Sequence, residues 1–292
     1  MDIEGPSRTA LVTAYARAYH QVFDRPRILA DPLAARLLGV SVDELAELGR
    51  PAGSGGGVDI LRLGVGDRPR RLFFAARARF AEDRVAEAAV AGVGQVVILG
   101  AGLDTFAYRN RHPGVRVFEV DHPATQAWKQ QRLTASGVEV PEGVTFVPVD
   151  FETDTLAQRL AAAGFGRAYP AVFVWLGVVF YLTPDAVRAT LEYIAGHSEP
   201  VEVIFDYLQS AHTGEERAQL QARAHRAAAV GEPWFSYFTP DDVAAQLRAL
   251  GFTDIEDRSA AELIAGYLDG SAEFAGEPPE ALRPVRVLRA SR

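Results

Sequence analysis

The sequence predicts an α/β fold built on a doubly wound, mainly parallel sheet, and three features of the pattern predict it. Short apolar runs recur at residues 95–99, 115–120, 145–149, 171–175 and 201–205, the form taken by strands buried on both faces of a parallel sheet. Helical patterns at 125–136, 155–163 and 184–195 lie between them, and strands alternating with helices argue for a sheet covered on both sides. The first run ends in Gly100-Ala101-Gly102, and the next two end in acids. This places the polar and glycine residues at the edge where open α/β sheets hold their ligands.

The remaining elements follow in order. An Ala- and Leu-rich stretch over 11–18 reads as helix, and Asp31-Pro32 opens another that runs to about Leu38, with Asp as cap and Pro first. Ser41 with Glu44 forms a capping box. Residues 51–57, Pro-Ala-Gly-Ser-Gly-Gly-Gly, hold no regular element; a plain surface loop is favoured over a lid hinge. A helix over 72–91 delivers the chain into the first strand. Thr183-Pro184-Asp185 and Thr239-Pro240-Asp241 are two helix starts built alike. The second helix ends at Gly251-Phe252, after which 253–257 and 285–288 supply an antiparallel pair and bring the sheet to seven strands. Residues 207–232 are polar, Ala-rich and helical, an insertion beside the ligand edge. One domain results: a helical cap (1–70), a ligand-binding core (71–206), a helical and aromatic insertion (207–240), and a closing helix with strands (241–292).

Composition narrows the function. With 292 residues, 48% of them hydrophobic, the chain can bury one large core. No run approaches the roughly 20 apolar residues of a membrane span, and the first thirty residues lack a signal-peptide layout. A cytoplasmic protein without a membrane partner is expected. The absence of cysteine removes disulfides, thiolate nucleophiles and thiolate metal sites. A net charge of −8 without a basic stripe argues against nucleic acid. The basic set is almost wholly arginine, with Lys129 the only lysine.

The sharpest chemical feature is the strand over 96–99 running into Gly100, Ala101, Gly102 and Asp104, where glycines let a backbone approach a ligand closely. The third glycine of a dinucleotide fingerprint is missing, since position 105 is Thr, so a pyrophosphate reading loses support. Glu119 and Asp121 end the second strand about twenty residues after the loop, the spacing at which a carboxylate accepts ribose hydroxyls. They lie on one side of the strand. Either they hold a ribose or they are solvated strand-end acids, and the glycine loop favours the ribose. Asp150 and Phe151 end the third strand. That acid suits an adenine amino group and the ring a base face, but Asp150 equally suits a cap for the helix beginning near Thr153-Asp154.

Together these strand ends resemble the cofactor site of class I S-adenosylmethionine-dependent methyltransferases. More narrowly, Val97-Ile-Leu-Gly-Ala-Gly-Leu-Asp-Thr-Phe-Ala-Tyr-Arg109 and Phe118-Glu-Val-Asp-His-Pro123 resemble the leucine carboxyl methyltransferase family and its bacterial relatives. The resemblance spans nearly the whole chain, through Thr9-Ala-Leu-Val-Thr-Ala14, Asp31-Pro32, Arg77-Ala-Arg79, Tyr181-Leu-Thr-Pro184 and Gly251-Phe252. It implies a Rossmann-like seven-stranded fold and S-adenosylmethionine as cofactor, with S-adenosylhomocysteine as product. It also implies that Arg77, with Arg79 as neighbour and Arg8 as a possible aid, holds the methionine carboxylate. Gly100 and Gly102 would lie under the methionine part, Glu119 and Asp121 on the ribose, Asp150 and Phe151 on the adenine. One departure stands out: where the family carries Trp-Glu-Gly after the fourth strand, this chain has Trp175-Leu176-Gly177. The acid expected near the cofactor's amino group is therefore absent, and a backbone carbonyl of Gly100 or Leu176 is left to accept from the ammonium.

For catalysis the sequence offers only weak candidates, His20, Tyr181 and His122, since the six histidines show no triad or metal spacing; no metal is expected. Tyr181, Tyr207, Trp234, Phe235 and Tyr237 form the expected acceptor wall, with ordinary core as the even alternative. The expected activity is O-methylation of a carboxylate or hydroxyl of a small molecule, with a secondary metabolite as the expected acceptor. The alternatives are a protein C-terminal carboxyl methyltransferase, or a repurposed fold that only binds ligand or catalyses a rearrangement or cyclisation.

Overall fold

The computed structural model describes residues 7–50, 60–150, 153–268 and 278–292; the Gly-rich run at 51–57 and Phe151 lie outside them. The chain opens with α1 (Arg8–Phe23), α2 (Ala34–Leu38), α3 (Val42–Leu48) and α4 (Ile60–Gly66), before α5 (Arg68–Val90) leads into β1 (Gln95–Leu99). Then come α6 (Phe106–Arg109), β2 (Arg116–Asp121), α7 (Pro123–Ala135), β3 (Val144–Pro148), α8 (Leu156–Ala162), β4 (Ala171–Trp175), α9 (Pro184–Ala195) and β5 (Val201–Leu208). The chain closes with α10 (Gly214–Ala229), α11 (Pro240–Ala249), β6 (Asp254–Ser259), α12 (Ala260–Tyr267) and β7 (Val285–Ser291).

The seven strands are ordered β3-β2-β1-β4-β5-β7-β6. β1 pairs in parallel with both β2 and β4, whereas β7 runs antiparallel to β5 and β6. The order reverses at β1, so the crevice beyond its carboxyl end is the natural ligand position. Side chains alternate across the sheet. Val96, Ile98, Val172, Val174 and Ile204 pack under α5 and α12 on one face. Val97, Leu99, Phe173, Trp175, Phe205 and Tyr207 pack with α8, α9 and α11 on the other. A third cluster joins Ala14 and Ala18 of α1 to Leu37 and Leu38 of α2, Leu45 of α3 and Leu103 of the glycine loop. The cap is thereby seated on the ligand edge.

The helix starts follow their sequence signals. Ser41 and Glu44 make the capping box of α3, and Thr183 and Thr239 cap α9 and α11 with Pro in the first turn. Three details differ from the sequence reading. Helix α2 begins at Ala34 rather than at Pro32; Asp31 still accepts from the Ala34 N–H at 3.1 Å, but its carboxylate is also drawn to Thr105 and Arg17. Strand β5 continues through Leu208 because Tyr207 and Leu208 pair with Arg286 and Val285 of β7, so the insertion starts after 208. Helix α12 was not anticipated, although the Ser259–Glu262 capping box that starts it is present in the sequence.

Candidate active site

The glycine loop is folded onto the tip of β2. Gly100 and Ala101 both donate their N–H to the Val120 carbonyl, at 2.9 and 3.0 Å. Gly100 has φ +68°, and a Cβ there would collide with the Val178 side chain, so only glycine lets this turn pass so close to the loop after β4. The Gly102 N–H donates to Asp121 Oδ2 at 2.5 Å, and the His122 N–H donates to Oδ1 at 2.7 Å. From above, Arg17 of α1 donates to the Leu103 carbonyl at 2.6 Å and pairs with Asp31 at 3.2 Å and Asp104 at 3.6 Å. Burial pushes the Asp104 carboxyl up, but Arg17, Lys129, the Phe106 N–H and Arg109 together outweigh it and hold it below the usual range.

The two acids of β2 have different surroundings. Glu119 is fully buried; its Oε2 accepts from Lys129 Nζ at 2.8 Å and from the Tyr108 hydroxyl at 2.9 Å. The only lysine of the chain is itself 1% exposed. Burial raises the Glu119 carboxyl, and the Lys129 charge and the two hydrogen bonds offset this in part. Glu119 is thus built into a buried ion pair beneath the loop through Oε2, while its Oε1 has no hydrogen-bond partner. Asp121 is half-buried at the carboxyl edge of β2. Its oxygens take the Gly102 and His122 N–H groups, and the Thr125 hydroxyl also bonds to the carboxylate.

Arg77, in the middle of α5, projects toward the loop after β4, buried against the rings of Phe74 and Phe73 at 4.8 and 5.4 Å. Its Nη1 pairs with Asp206 Oδ2. Gly177 has φ +74°, and a Cβ on it would stand 3.0 Å from Arg77 Nη2, so the missing side chain leaves a cradle over the guanidinium. Arg79 faces outward instead and pairs with Asp83 at 2.6 Å. Arg8 lies exposed at the start of α1, donating to the Val230 carbonyl at 3.1 Å. Leu176 packs against the α5 face of the core and lines a small cleft with Glu82, Asp104 and Phe106. At the third strand end, Asp150 is not the cap of α8: Thr155 is, accepting from the Gln158 N–H. The Asp150 N–H donates to Asp154 Oδ2 at 3.0 Å, which turns the chain at the edge of the sheet.

The catalytic candidates resolve differently. His20 is buried, with both ring nitrogens engaged. Its Nε2 accepts from the Ile28 and Leu29 N–H groups at 3.0 and 3.3 Å, and its Nδ1 meets Asp24 at 3.1 Å. Asp24 in turn pairs with Arg71 at 2.9 Å, tying the end of α1 to α5. Burial would raise the Asp24 carboxyl, yet the His20 and Arg71 bonds hold it well below the usual range. We expect His20→Ala to cost about 1–3 kcal/mol of stability for the orphaned donors while leaving cofactor affinity unchanged. Urea denaturation and calorimetric titration of the same preparation check both. His122 caps α7, its Nδ1 accepting from the Ala124 N–H at 3.2 Å. The Tyr181 hydroxyl shares a 2.7 Å hydrogen bond with Thr9 Oγ1, and burial followed by the Glu232 charge raises its pKa, so it stays protonated.

The expected acceptor wall divides. Tyr207 belongs to the opposite core face and donates to Asp257 at 2.6 Å, and Phe235 turns its ring to solvent. Tyr207 is thereby sealed in the core, while Phe235 is open to solvent. Trp234 and Tyr237 do stay on the α5 side, Trp234 packing edge-on against Phe180 at 6.1 Å and under the Arg223 guanidinium at 5.8 Å. Asp206, Arg17 and Lys129 were missed by the sequence reading. Asp206 had the same signal as the acids that were chosen, a carboxylate near the end of a parallel strand; Lys129 had only its uniqueness.

A doubly wound sheet with a glycine turn after β1, an acid at the tip of β2 and an arginine beside the loop after β4 defines a protein that binds a small ligand across its switch point. Residues 10–195 match the model of the leucine carboxyl methyltransferase family, and the chain belongs to that family. It is 31% identical over 276 residues to "Putative S-adenosyl-L-methionine-dependent methyltransferase YktD" of Bacillus subtilis (strain 168), covering 87% of this chain and 88% of that protein. A protein of the same designation from Mycobacterium avium (strain 104) is 30% identical over 283 residues, covering 90% and 88%. Among solved structures, a duf574 family protein from Streptomyces avermitilis ma-4680 shares the fold over 98% of both chains, with a TM-score of 0.53 at 14% identity. Among the described residues, no helix is long and apolar enough to cross a membrane.

Proposed function

We propose that this chain, an S-adenosylmethionine-dependent methyltransferase, transfers the methyl group to an oxygen of a small molecule, with a carboxylate as the favoured acceptor. The observation that carries the reading is the row of Arg77 with the Gly177 cradle, the Gly100–Gly102 turn and Asp121 along one edge of the sheet. The residues fit the cofactor: Arg77 for the α-carboxylate, the glycine turn beneath the methionine chain, Asp121 for the ribose hydroxyls and the Asp150 edge for the base. When bound, the cofactor supplies an electrophilic methyl group on a sulfonium.

The protein's own share is alignment and exclusion of water, since displacement at a methyl group needs the acceptor oxygen in line with the departing sulfur. A carboxylate is ionised at neutral pH and needs no base. That suits a site where Tyr181 is held protonated and the ring nitrogens of His20 and His122 already accept backbone N–H groups. Phe180, Trp234 and Tyr237 offer an apolar wall for the body of the acceptor.

Calorimetric titration with S-adenosylmethionine and S-adenosylhomocysteine is expected to give micromolar binding, about −8 kcal/mol. Incubation of a bacterial metabolite extract with the deuterated-methyl cofactor is then expected to yield labelled small molecules whose label is released by mild base, as esters release it. A base-stable label would mean a hydroxyl acceptor, and label on protein a C-terminal one. Failure of both cofactor forms to bind would overturn the methyltransferase reading.

A further inference from the structure

Asp206 lies near the carboxyl end of β5 and is 1% exposed. By strand parity it faces α5, while its neighbour Tyr207 points into the opposite core. Its two oxygens serve two different elements: Oδ2 pairs with Arg77 of α5, and Oδ1 accepts from the Gly177 N–H at 2.5 Å in the turn after β4. Those two elements are the walls of the cradle. Arg77 is a long side chain with several rotatable bonds, and beside the faces of Phe73 and Phe74 it has Asp206 as its charged partner. Engaging Nη1 from one side fixes the guanidinium plane and leaves Nη2 toward Gly177. The same carboxylate, by taking the Gly177 N–H, fixes how far the turn stands from that nitrogen.

We propose that Asp206 is a positioning residue for the amino-acid end of the cofactor, holding Arg77 and the Gly177 turn in the placement that receives an α-carboxylate. The proposal rests on the reading of Arg77 as the carboxylate partner. It also bears on charge. Arg77 with Asp206 is a pair of zero net charge, so the cradle suits a zwitterionic α-amino acid end, whose own ammonium balances its carboxylate, better than a bare anion. The loop that lacks an acid at Leu176 thus receives one from β5.

The test compares S-adenosylhomocysteine with 5′-methylthioadenosine, which has the same nucleoside but no amino-acid end, by titration on a single preparation of each variant. The ratio of the two affinities does not depend on the fraction of protein folded. Asp206→Asn keeps the shape and an acceptor for Gly177 but removes the charge that holds Arg77; the ratio is expected to fall at least tenfold with methylthioadenosine binding unchanged. Asp206→Glu, which keeps the charge, is expected to restore part of the preference. An Asp206→Asn ratio equal to wild type, or an equal loss for both ligands, would overturn the proposal. Arg77→Ala separates the two readings. A collapsed ratio there beside a normal one in Asp206→Asn removes Asp206 alone, whereas a normal ratio in Arg77→Ala removes the Arg77 assignment and the proposal with it.

Discussion

Glu119→Ala is expected to lower folding stability by about 3–5 kcal/mol, an effect on the fold rather than on cofactor recognition. The carboxylate it removes is the counter-ion of Lys129 Nζ and the acceptor of the Tyr108 hydroxyl, in a place that water does not reach. Loss of one partner leaves an uncompensated buried ammonium, which costs far more than the pair itself contributes. Replacing both residues with apolar ones of similar size, Glu119→Leu with Lys129→Met, is therefore expected to recover most of the loss. The urea midpoints of the single and double variants read this directly. The opposite pattern, an unchanged midpoint with cofactor affinity lost, would return Glu119 to the ribose.

Asp121→Ala is expected to weaken S-adenosylhomocysteine about 100-fold, about 2.7 kcal/mol, with a much smaller change in stability. Asp121 stands half-buried at the carboxyl edge of β2 and holds Gly102 through Oδ2. Its removal therefore takes away a ligand contact and loosens the turn at once. A pH signature accompanies it. Burial raises the Asp121 carboxyl above its ordinary 3.8, and the Gly102 and His122 N–H donors and Lys129 only partly offset this. The ionised form is the one that accepts ribose hydroxyls, so affinity should be full above the raised pKa and fall as the pH drops through it. That fall should begin at a higher pH than an ordinary carboxylate would give. Asp121→Asn should lose the inflection. Equal titration curves for wild type and Asp121→Asn would place the ribose elsewhere.

Much of the architecture was legible because it is written in local periods. Continuous apolar runs such as Gln95–Leu99 and Ala171–Trp175 need burial on both faces, and the helical patterns between them supply the cover. The Thr-Pro-Asp helix starts at 183 and 239 act within one turn and fell where expected. The glycine turn was legible too, since close approach of backbone needs glycine whatever the tertiary setting. The site was legible as far as which strand ends carry acids, and no further. Glu119 and Asp121 share a side of β2 and differ only in how deep they lie. Depth was set by Tyr108 and by Lys129 on α7, whose side-chain direction the pattern does not encode. His20 was a weak catalytic candidate in the sequence, and the folding back of residues 24–29 gave it two backbone donors.

The layered α/β class, the alternation of strands and helices through β5, the glycine turn after the first strand and the acids ending β2 and β3 were encoded locally, because each depends on residues within a few positions of one another. The tertiary structure alone decided which acid is sealed under the loop and which stays open to a ligand. It also decided that Arg77 meets Asp206 across 129 positions, and that Tyr207 belongs to the core. Those outcomes depend on which buried charges the packed elements bring within reach. A charge leaves water only where the completed fold supplies its partner.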